Sequence, residues 1–323
     1  MSSDQCVQGA ACPVFPGLER RDMSSSPEEE LRTVLDGGAV PLTDKYDVAP
    51  ESPQPMKLRH NVCYIVMGIL VNEQNEVLMM QEAKAECWGS WYLPAGRLKR
   101  GESLVEGLCR EVTEETGLLC QPLTLLVVEE RGGSWVRFVF LAQETGGVLK
   151  PSAAADKESL QASWWDTESA LPLRSRDILP LIKLALEYRR LPSHPSILPQ
   201  LCPSPFLVLR LLLVWTSPGG IQILQSSTGH LPTIVCAARC GSILVPLLYL
   251  LQDRPETYGI LGVQHQGGDN ADGVCFNIMG VFRGPEPPVV RTGGLSWATV
   301  EDEGLKERLE QALQKNTLLP LHS

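Results

Sequence analysis

The sequence predicts an α/β protein in which a mixed β-sheet packs between helices, followed by a second α+β unit. Three observations lead to this prediction. From residue 61 onward, β-rich runs alternate with turn signals, and one well-capped acidic helix interrupts them. After residue 200 the same order of elements recurs in a weaker form.

The first 56 residues differ from the rest of the chain in composition. They are rich in Ser, Pro, Gly and acidic side chains and have no sustained hydrophobic periodicity. Such a segment can bury little apolar surface, so we expect a disordered tail at 1–56, with one short helix at 27–36. We place the first domain at 57–192 and the second at 200–320.

The first domain is predicted to contain five strands and a closing helix besides the acidic helix. Runs of Val, Ile, Leu and aromatic residues bounded by Gly, Asn and Asp are typical of strands. A longer apolar and basic run after the last strand fits a helix. The predicted strands lie at 62–71, 77–81, 123–130, 136–143 and 159–165, and the helix at 178–190.

The acidic helix has clear start and stop signals. Ser103 is a favourable N-cap, and Glu106 three residues later completes a capping box, so the helix should begin at Leu104. Gly117 is a natural C-cap residue and should end it.

Three carboxylates of this helix, those of Glu111, Glu114 and Glu115, project from one face because they are three and four residues apart. Acidic side chains at this spacing repel one another unless a cation lies between them. Mg²⁺ prefers carboxylate oxygens and water, supplemented by substrate phosphates. We therefore expect Mg²⁺ at this face, with Mn²⁺ as a possible substitute.

The residues around this helix also fit one pattern, G-x5-E-x7-R-E-U-x-E-E-x-G-U with U aliphatic, from Gly96 to Leu118. This segment, 96–118, resembles the Nudix box. The resemblance implies a Nudix α/β/α sandwich and metal-dependent hydrolysis of a nucleoside diphosphate linked to a further group. A solvated acidic helix face is the alternative interpretation, but it leaves Gly96, Glu102 and Arg110 as coincidences.

The resemblance also implies roles for individual residues. Glu111 and Glu115, the backbone carbonyl of Ala95 and, as a further ligand or water-positioning group, Glu114 would hold the metal. Arg110 would orient the glutamates by ion pairing. The metal would activate a water molecule for attack on phosphorus. Which glutamate accepts the proton stays open.

Segments outside the box, 61–64, 91–96 and 134–140, are similar to Nudix enzymes that convert oxidised purine nucleoside diphosphates, such as 8-oxo-dGDP and 8-oxo-GDP, to monophosphates. The similarity implies that Leu78 and Phe138 line the substrate cleft and that Asp177 reads the Hoogsteen edge of the base. Core packing of Leu78 and Phe138 and helix capping by Asp177 are the alternatives. Trp88, Trp91 and Trp135 are candidates either for base stacking or for the core.

Two other functions remain open. The first is a Nudix pyrophosphatase for another nucleotide, either a nucleotide sugar or a dinucleoside polyphosphate. The second is a non-catalytic nucleotide-binding module. The intact Glu111, Glu114 and Glu115 speak against the binding module, because a protein that only binds nucleotides would tolerate their loss.

Charge and cysteine content restrict the partners and the compartment. The net charge of −10 and the pI near 5.1 argue against binding to nucleic acid polymers or anionic membranes, whereas a small nucleotide arriving with Mg²⁺ is compatible. Ten cysteines occur without a zinc-type spacing, and neither a secretory leader nor a membrane-length apolar run is recognisable. We expect the cytosol. The sequence indicates no particular protein partner.

The second domain repeats the element order of the first. Its predicted elements are strands at 206–215, 221–225, 258–264, 274–282 and 295–297 and helices at 242–252 and 305–314. The helix at 242–252 stands where the acidic helix stood, yet it carries aliphatic residues and no glutamate. A degenerate Nudix-like repeat without catalytic glutamates and an unrelated α+β extension both fit. If it is a repeat, this helix should be more buried than the acidic one.

Overall fold

The first half of the chain forms two β-sheets around one long helix. The computed structural model describes residues 26–42, 46–50, 54–131, 134–238, 242–268, 271–315 and 318–322. A short helix precedes the sheets, and the elements of this half are α1 (Pro27–Leu35), β1 (Cys63–Leu70), β2 (Val77–Glu82), β3 (Trp91–Tyr92), β4 (Ala95–Arg97), α2 (Leu104–Thr116), β5 (Leu118–Arg131), β6 (Trp135–Gly147), β7 (Ser159–Trp165) and α3 (Ile178–Arg190).

Strand β1 is central to the larger sheet of this half. It pairs in parallel with β6 and antiparallel with β4, while β5 and β6 form a long antiparallel hairpin. Strands β3, β2 and β7 form the smaller sheet. Side chains alternate between faces along a strand. Consequently Tyr64 and Val66 face α2 and one hydrophobic core, whereas Met67 and Ile69 face α3 and another.

Part of the strand order and directions of the first half recurs in the second. The elements of the second half are β8 (Val208–Ser217), β9 (Gly220–Ser226), β10 (Thr233–Val235), α4 (Val245–Leu250), β11 (Thr257–Gln264), β12 (Cys275–Arg283), β13 (Leu295–Thr299), α5 (Glu303–Lys315) and β14 (Leu321–His322). Strand β8 pairs in parallel with β12 and antiparallel with β10, and β11 pairs antiparallel with β12, so β11, β12, β8 and β10 are arranged as β5, β6, β1 and β4 are. The second half differs because β9 and β13 join the same sheet through β8, whereas β2 and β7 form a separate sheet in the first half. The last strand, β14, joins the edge of β5 in the first half.

One hydrophobic core joins the two halves. It contains the inner face of β1 and β6 together with side chains from β8 and β12. Phe138 of β6 and Phe276 of β12 lie nearly parallel, with ring centres 6.0 Å apart. The two halves therefore share their apolar interior, and each leaves its other sheet face for a separate use.

The helix of the second half is shorter than the sequence predicts. Residues 242–252 were expected to be helical, but α4 covers only Val245–Leu250. Pro246 lies in its first turn, where the missing N–H costs nothing, and the residues before it do not continue the helix. The flanking Ile243, Leu244 and Leu251 are nevertheless buried, as an apolar segment at this place requires. Among the described helices, none has the length and apolar character needed to cross a membrane.

The prediction of a disordered tail at 1–56 is wrong for the described residues after position 25. Helix α1 begins with a capping box at Ser26 and Glu29 and ends one residue before the predicted limit. Leu31 is fully buried against β8, β12 and α5 of the second half, and Val40 is also buried. Composition does not predict this ordered segment, because only a few of its residues are apolar and make the contacts. Residues 1–25 lie outside the described part of the chain.

If α1 is an integral part of the fold, Leu31→Ala should destabilise the protein by about 2–5 kcal/mol, since it removes a fully buried side chain from a packed core. Urea unfolding followed by circular dichroism measures this change. Leu191→Ala is the matched control, because Leu191 is 75% exposed. Equal stability of the two variants would show that α1 does not contribute to the core.

Candidate active site

The acidic helix forms as the sequence predicts. In α2 the Ser103 hydroxyl accepts from the backbone N–H of Glu106, and the Glu106 carboxylate accepts from the N–H of Ser103. Gly117 ends the helix with a φ of 77°, a conformation that suits glycine. Leu104, Leu108 and Val112 are completely buried, which fixes the opposite side of the helix against the sheet. The glutamates are thus presented from a rigid element.

Two of the glutamates are buried beside β4. The carboxylate of Glu115 accepts from the backbone N–H of Ala95 at 2.9 Å, and only 2% of this residue is exposed. Burial raises the pKa of Glu115 well above its usual range, and the nearby Glu111 raises it further. Burial also raises the pKa of Glu111, although Arg110 opposes the shift. Buried acids in this state are stabilised by a cation.

Arg110 connects the glutamates to the start of the helix. Its guanidinium donates to Glu111 at 2.7 Å, to Glu114 at 3.0 Å and to both carboxylate oxygens of Glu102. Glu114 is also paired with Lys99, and these two cations outweigh its partial burial and lower its pKa. Arg110 therefore neutralises an acidic cluster that would otherwise repel itself.

Gly96 leaves the space that Glu111 occupies. A Cβ atom at position 96 would lie 2.1–2.3 Å from the carboxyl group of Glu111, far inside van der Waals contact. Strand β4 therefore approaches the helix closely enough for the Ala95 and Glu111 oxygens to line one cleft. Steric exclusion by the Glu111 carboxyl group thus explains why the first residue of the box pattern is glycine.

The donor set fits a hard divalent cation. Glu111, Glu115 and Ala95 line the cleft together and offer carboxylate and carbonyl oxygens, which Mg²⁺ prefers over nitrogen or sulfur. Within the described residues, no three acidic, Cys or His side chains already converge as a metal-binding cluster. Because Arg110 contacts Glu111, cation binding at that carboxylate competes with this ion pair.

The cleft continues away from the glutamates along the outer face of the sheet. It has a volume of about 800 Å³. Arg137 forms part of its floor and donates to Glu129 at 2.7 Å, to Asp177 at 2.9 Å and to the Tyr92 hydroxyl at 3.0 Å. The Tyr92 hydroxyl in turn donates to Asp177. Further lining residues are Ile65, Met67, Lys84, Trp135, Glu158 and Arg174.

Asp177 is held as an anion at the cleft wall. Partial burial favours its neutral form, but hydrogen bonds from Ser175, Arg137 and Tyr92 outweigh burial and lower its pKa. Burial raises the pKa of Tyr92 to about 12, so this group remains a hydrogen-bond donor. The wall thus presents one carboxylate acceptor in fixed surroundings. Asp177 also immediately precedes α3, but its side chain makes no capping hydrogen bond there.

Two predicted cleft residues are placed elsewhere, which corrects the prediction. Leu78 and Phe138 are fully buried in the core shared by both halves and do not line the cleft. Phe138 follows Arg137 on β6 and therefore faces the opposite side of the sheet. Of the tryptophans, Trp135 lines the cleft, Trp91 belongs to the core below α3, and Trp88 is 65% exposed outside it.

Arg137 and Tyr92 are cleft residues that sequence reasoning missed. A single charged residue inside an otherwise apolar strand is a signal for a functional face, and Arg137 stands in this way between Val136 and Phe138. Nothing local predicts that Tyr92, 45 residues earlier in the chain, donates its hydroxyl to the same carboxylate as Arg137.

This chain matches a known protein family and known proteins, and the family match includes the residues of this cleft. The NUDIX domain family matches residues 63–183. The human protein named 8-oxo-dGDP phosphatase NUDT18 is 48% identical over 298 residues, which cover 85% of this chain and 92% of that protein. The chain belongs to the Nudix hydrolase family. The zebrafish (Danio rerio) protein of the same name is 41% identical and covers 93% of this chain and 98% of its own length.

Among solved structures, a Nudix hydrolase from Nitrosomonas europaea aligns with 43% of this chain and 77% of its own, at 28% identity and a TM-score of 0.37. The Nudix family match ends before β8, whereas the alignment to the human relative includes most of the second half. The second half is therefore shared with these relatives although it lies outside the family's characteristic region.

In this Nudix hydrolase, Gly96→Ala should reduce hydrolysis by at least about a hundredfold, because the added methyl group displaces Glu111 from a site where small misplacements are costly. Mn²⁺ affinity, measured by electron paramagnetic resonance, should fall with it. Gly293→Ala is the control, since a Cβ there meets no atom within 4 Å. Full activity of Gly96→Ala would remove Glu111 from the site.

Proposed function

We propose that this Nudix hydrolase converts 8-oxo-dGDP, and related oxidised purine nucleoside diphosphates such as 8-oxo-GDP, to the monophosphate and inorganic phosphate. This activity would remove damaged nucleotides from the nucleotide pool. The human and zebrafish relatives, which this chain matches over nearly their whole length, are named 8-oxo-dGDP phosphatases, and this supports the substrate class.

The observation that carries the proposal is the division of the cleft into two chemically different parts. Glu111, Glu115 and the Ala95 carbonyl line one part, and Asp177 lies in the other with Arg137 and Tyr92. The first part suits the phosphates, and the second suits a base with hydrogen-bond donors. A nucleotide would use both parts at once.

Glu111, Glu115 and the Ala95 carbonyl would hold Mg²⁺, with Mn²⁺ as a substitute. When bound, a divalent cation of this kind activates water and neutralises charge on the phosphates. Arg110 would keep Glu111 and Glu114 in position before substrate arrives, as its hydrogen bonds to both indicate. Glu114, at the rim with Lys99, would serve as a further ligand or orient the attacking water. Lys84 and Arg174 line the same cleft and add positive charge for the phosphates.

Asp177 would select the oxidised base. Unmodified guanine presents an acceptor at N7, which an anionic carboxylate repels, whereas an 8-oxo purine carries hydrogen on N7 and can donate. Because Arg137 and Tyr92 keep Asp177 ionised, the carboxylate can accept this hydrogen but cannot donate to an undamaged base.

Other Nudix substrates remain the alternative, namely nucleotide sugars and dinucleoside polyphosphates. A panel of these compounds and of oxidised and normal nucleoside di- and triphosphates, assayed with Mg²⁺ and with Mn²⁺ for released phosphate and pyrophosphate, separates the possibilities. The diphosphate 8-oxo-dGDP should be the best substrate and its triphosphate a poorer one. Strong preference for the triphosphate with pyrophosphate release would contradict the proposal. A nucleotide-binding module without turnover would release neither product.

The partner is thus proposed to be a small nucleotide rather than a nucleic acid polymer or a membrane. The cytosol is the proposed compartment. Seven cysteines among the described residues carry free thiols, which supports a reducing environment.

Glu111→Gln and Glu115→Gln should each lower kcat by at least about a hundredfold, because each removes a charged ligand from the proposed metal site. Folding should persist, since the amide oxygen of glutamine can still accept from Ala95. The control is Glu144→Gln on the exposed end of β6. Wild-type turnover of either variant would exclude the box from the mechanism.

Asp177→Ala should reduce the ratio of kcat/KM for 8-oxo-dGDP over dGDP by about tenfold or more, since a charged hydrogen bond contributes about 1.5–3 kcal/mol. The loss should come from the oxidised substrate, and turnover of dGDP shows that the variant is folded. Asp166→Ala, in an exposed turn, is the control. An unchanged ratio would mean that Asp177 does not read the base.

A further inference from the structure

The two halves can be aligned residue by residue through their strand pairings. Strands β4 and β10 each contain three residues and pair with the first strand of their own half. Aligning them end to end places Thr233 on Ala95 and Arg210 on Met67, since these are the respective partners. The same alignment places Phe276 on Phe138, and these two rings are in contact.

Contacts between the halves support this alignment. It places His265 at the end of β11 on Glu130 at the end of β5. The Glu130 carboxylate accepts from the backbone N–H of Ile243, before α4, and His265 lies 3.3 Å from the carbonyl oxygen of Glu102, before α2. Equivalent residues of the two halves thus make equivalent contacts with the opposite half. Such reciprocal contacts are typical of two units related by a two-fold axis, and here both units belong to one chain. The second half therefore has a defined equivalent of the catalytic cleft.

That equivalent cleft is filled by the N-terminal segment of the same chain, of which the structure describes residues 27–42 and 46–48. In the catalytic cleft, Ile65, Arg97 and Arg137 are paired neighbours that line the open space. Their counterparts are Val208, Val235 and Cys275, which are buried beneath Leu42 and Tyr46. Where the first half is open to substrate, the second is covered by protein.

The N-terminal segment forms hydrogen bonds with the backbone of β10 at the position that corresponds to the proposed metal site of the first half. The carbonyl oxygen of Thr233, the counterpart of Ala95, accepts from the N–H groups of Asp47 at 3.0 Å and Val48 at 3.3 Å. The N–H of Thr233 donates to the Asp47 carboxylate at 2.8 Å, and His230 lies 3.1 Å from that carboxylate. Val48 also forms a parallel bridge with Ile234 of β10. The segment thus pairs with β10 at this bridge, where the N–H of Val235 also donates to the Val48 carbonyl.

A buried arginine holds the middle of the segment. Arg210 is 2% exposed and donates to the carbonyl oxygens of Val40 and Pro41, both at 3.0 Å. The side chain of Gln264 both accepts from the N–H of Val40 and donates to its carbonyl. The carboxylate of Glu30 accepts from the N–H of Leu231 at 2.9 Å and lies 4.0 Å from Arg210. These groups recognise an extended backbone and an acidic helix, not a phosphate chain.

We propose that the second half is a peptide-binding module whose ligand is the N-terminal segment of the same chain, held through residues 27–42 and 46–48 and bound where the first half binds its nucleotide. Among the residues that the structure describes, the second half has no counterparts of the proposed metal-binding glutamates. Its cleft instead binds backbone amides, the buried side chain of Leu31 and the Asp47 carboxylate. Each chain accordingly has one nucleotide site. Backbone hydrogen bonds at the edge of a sheet, combined with side chains held beside it, are a mode by which protein modules recognise extended peptides.

The test cuts the full-length protein after folding. A recognition site for a sequence-specific protease is inserted between residues 50 and 54, and the purified protein is cleaved. The N-terminal fragment should remain bound in gel filtration and native mass spectrometry. It should exchange with an added fluorescent peptide of residues 26–50, and millimolar 8-oxo-dGDP without metal should not displace it. Release of the fragment on cleavage, or displacement by 8-oxo-dGDP, would overturn the proposal.

Substitutions made in the added peptide do not change the folded protein that binds it. A peptide with Asp47→Ala should bind at least about tenfold more weakly, because it loses its charged hydrogen bonds to Thr233 and His230. The matched control is Thr33→Ala, whose hydroxyl donates to the Glu29 carbonyl of its own helix. Equal affinity of these two peptides would contradict the assigned contacts. Titration calorimetry with 8-oxo-dGDP in the absence of metal, where it is not hydrolysed, should give one site per chain, and two sites would show a nucleotide cleft in the second half.

Discussion

The alternation of side chains along the central strands is the constraint on which the rest of the structure depends. Each half turns one face of its first strand and its parallel partner into the common core, so the other face is available for a cleft. A shift of one residue would exchange the two faces. For this reason Arg137 lies in the cleft beside Glu111 and Glu115, while Phe138, its neighbour, contacts Phe276 in the other half.

Charge balance governs the catalytic face. Glu111 and Glu115 are buried deeply enough that their negative charges are unfavourable without compensation. Arg110 compensates part of this charge from within the helix, and a divalent cation would compensate the remainder. The cost of assembling acids in a buried place is acceptable because α2 is anchored by its caps and by three buried aliphatic side chains. The rigid support also fixes the positions of these two carboxylates.

In the second half, different side chains occupy the positions equivalent to those of the first-half cleft. Aliphatic residues replace the acidic helix, and a buried arginine with amide side chains replaces the cleft floor. These groups need partners, since a buried guanidinium without acceptors would be strongly destabilising. The backbone carbonyls of the N-terminal segment are those partners. Helix α1 then extends the contact by packing Leu31 beside α5 and pairing Arg32 with Asp302.

The sequence by itself determined the local features of this protein. It located α2 with both caps, the long strands of both halves and α3, because hydrophobic period and capping residues act within one element. It also identified Glu111 and Glu115, whose spacing on one helix brings them together whatever the remainder of the fold. The short strands β3, β4, β10 and β14 were missed because two or three residues carry no periodicity. The tertiary structure alone decided which strand faces meet, since that choice depends on pairings between distant residues. It placed Leu78 and Phe138 in the core, brought Tyr92 and Arg137 to Asp177, and ordered the N-terminal segment against Arg210.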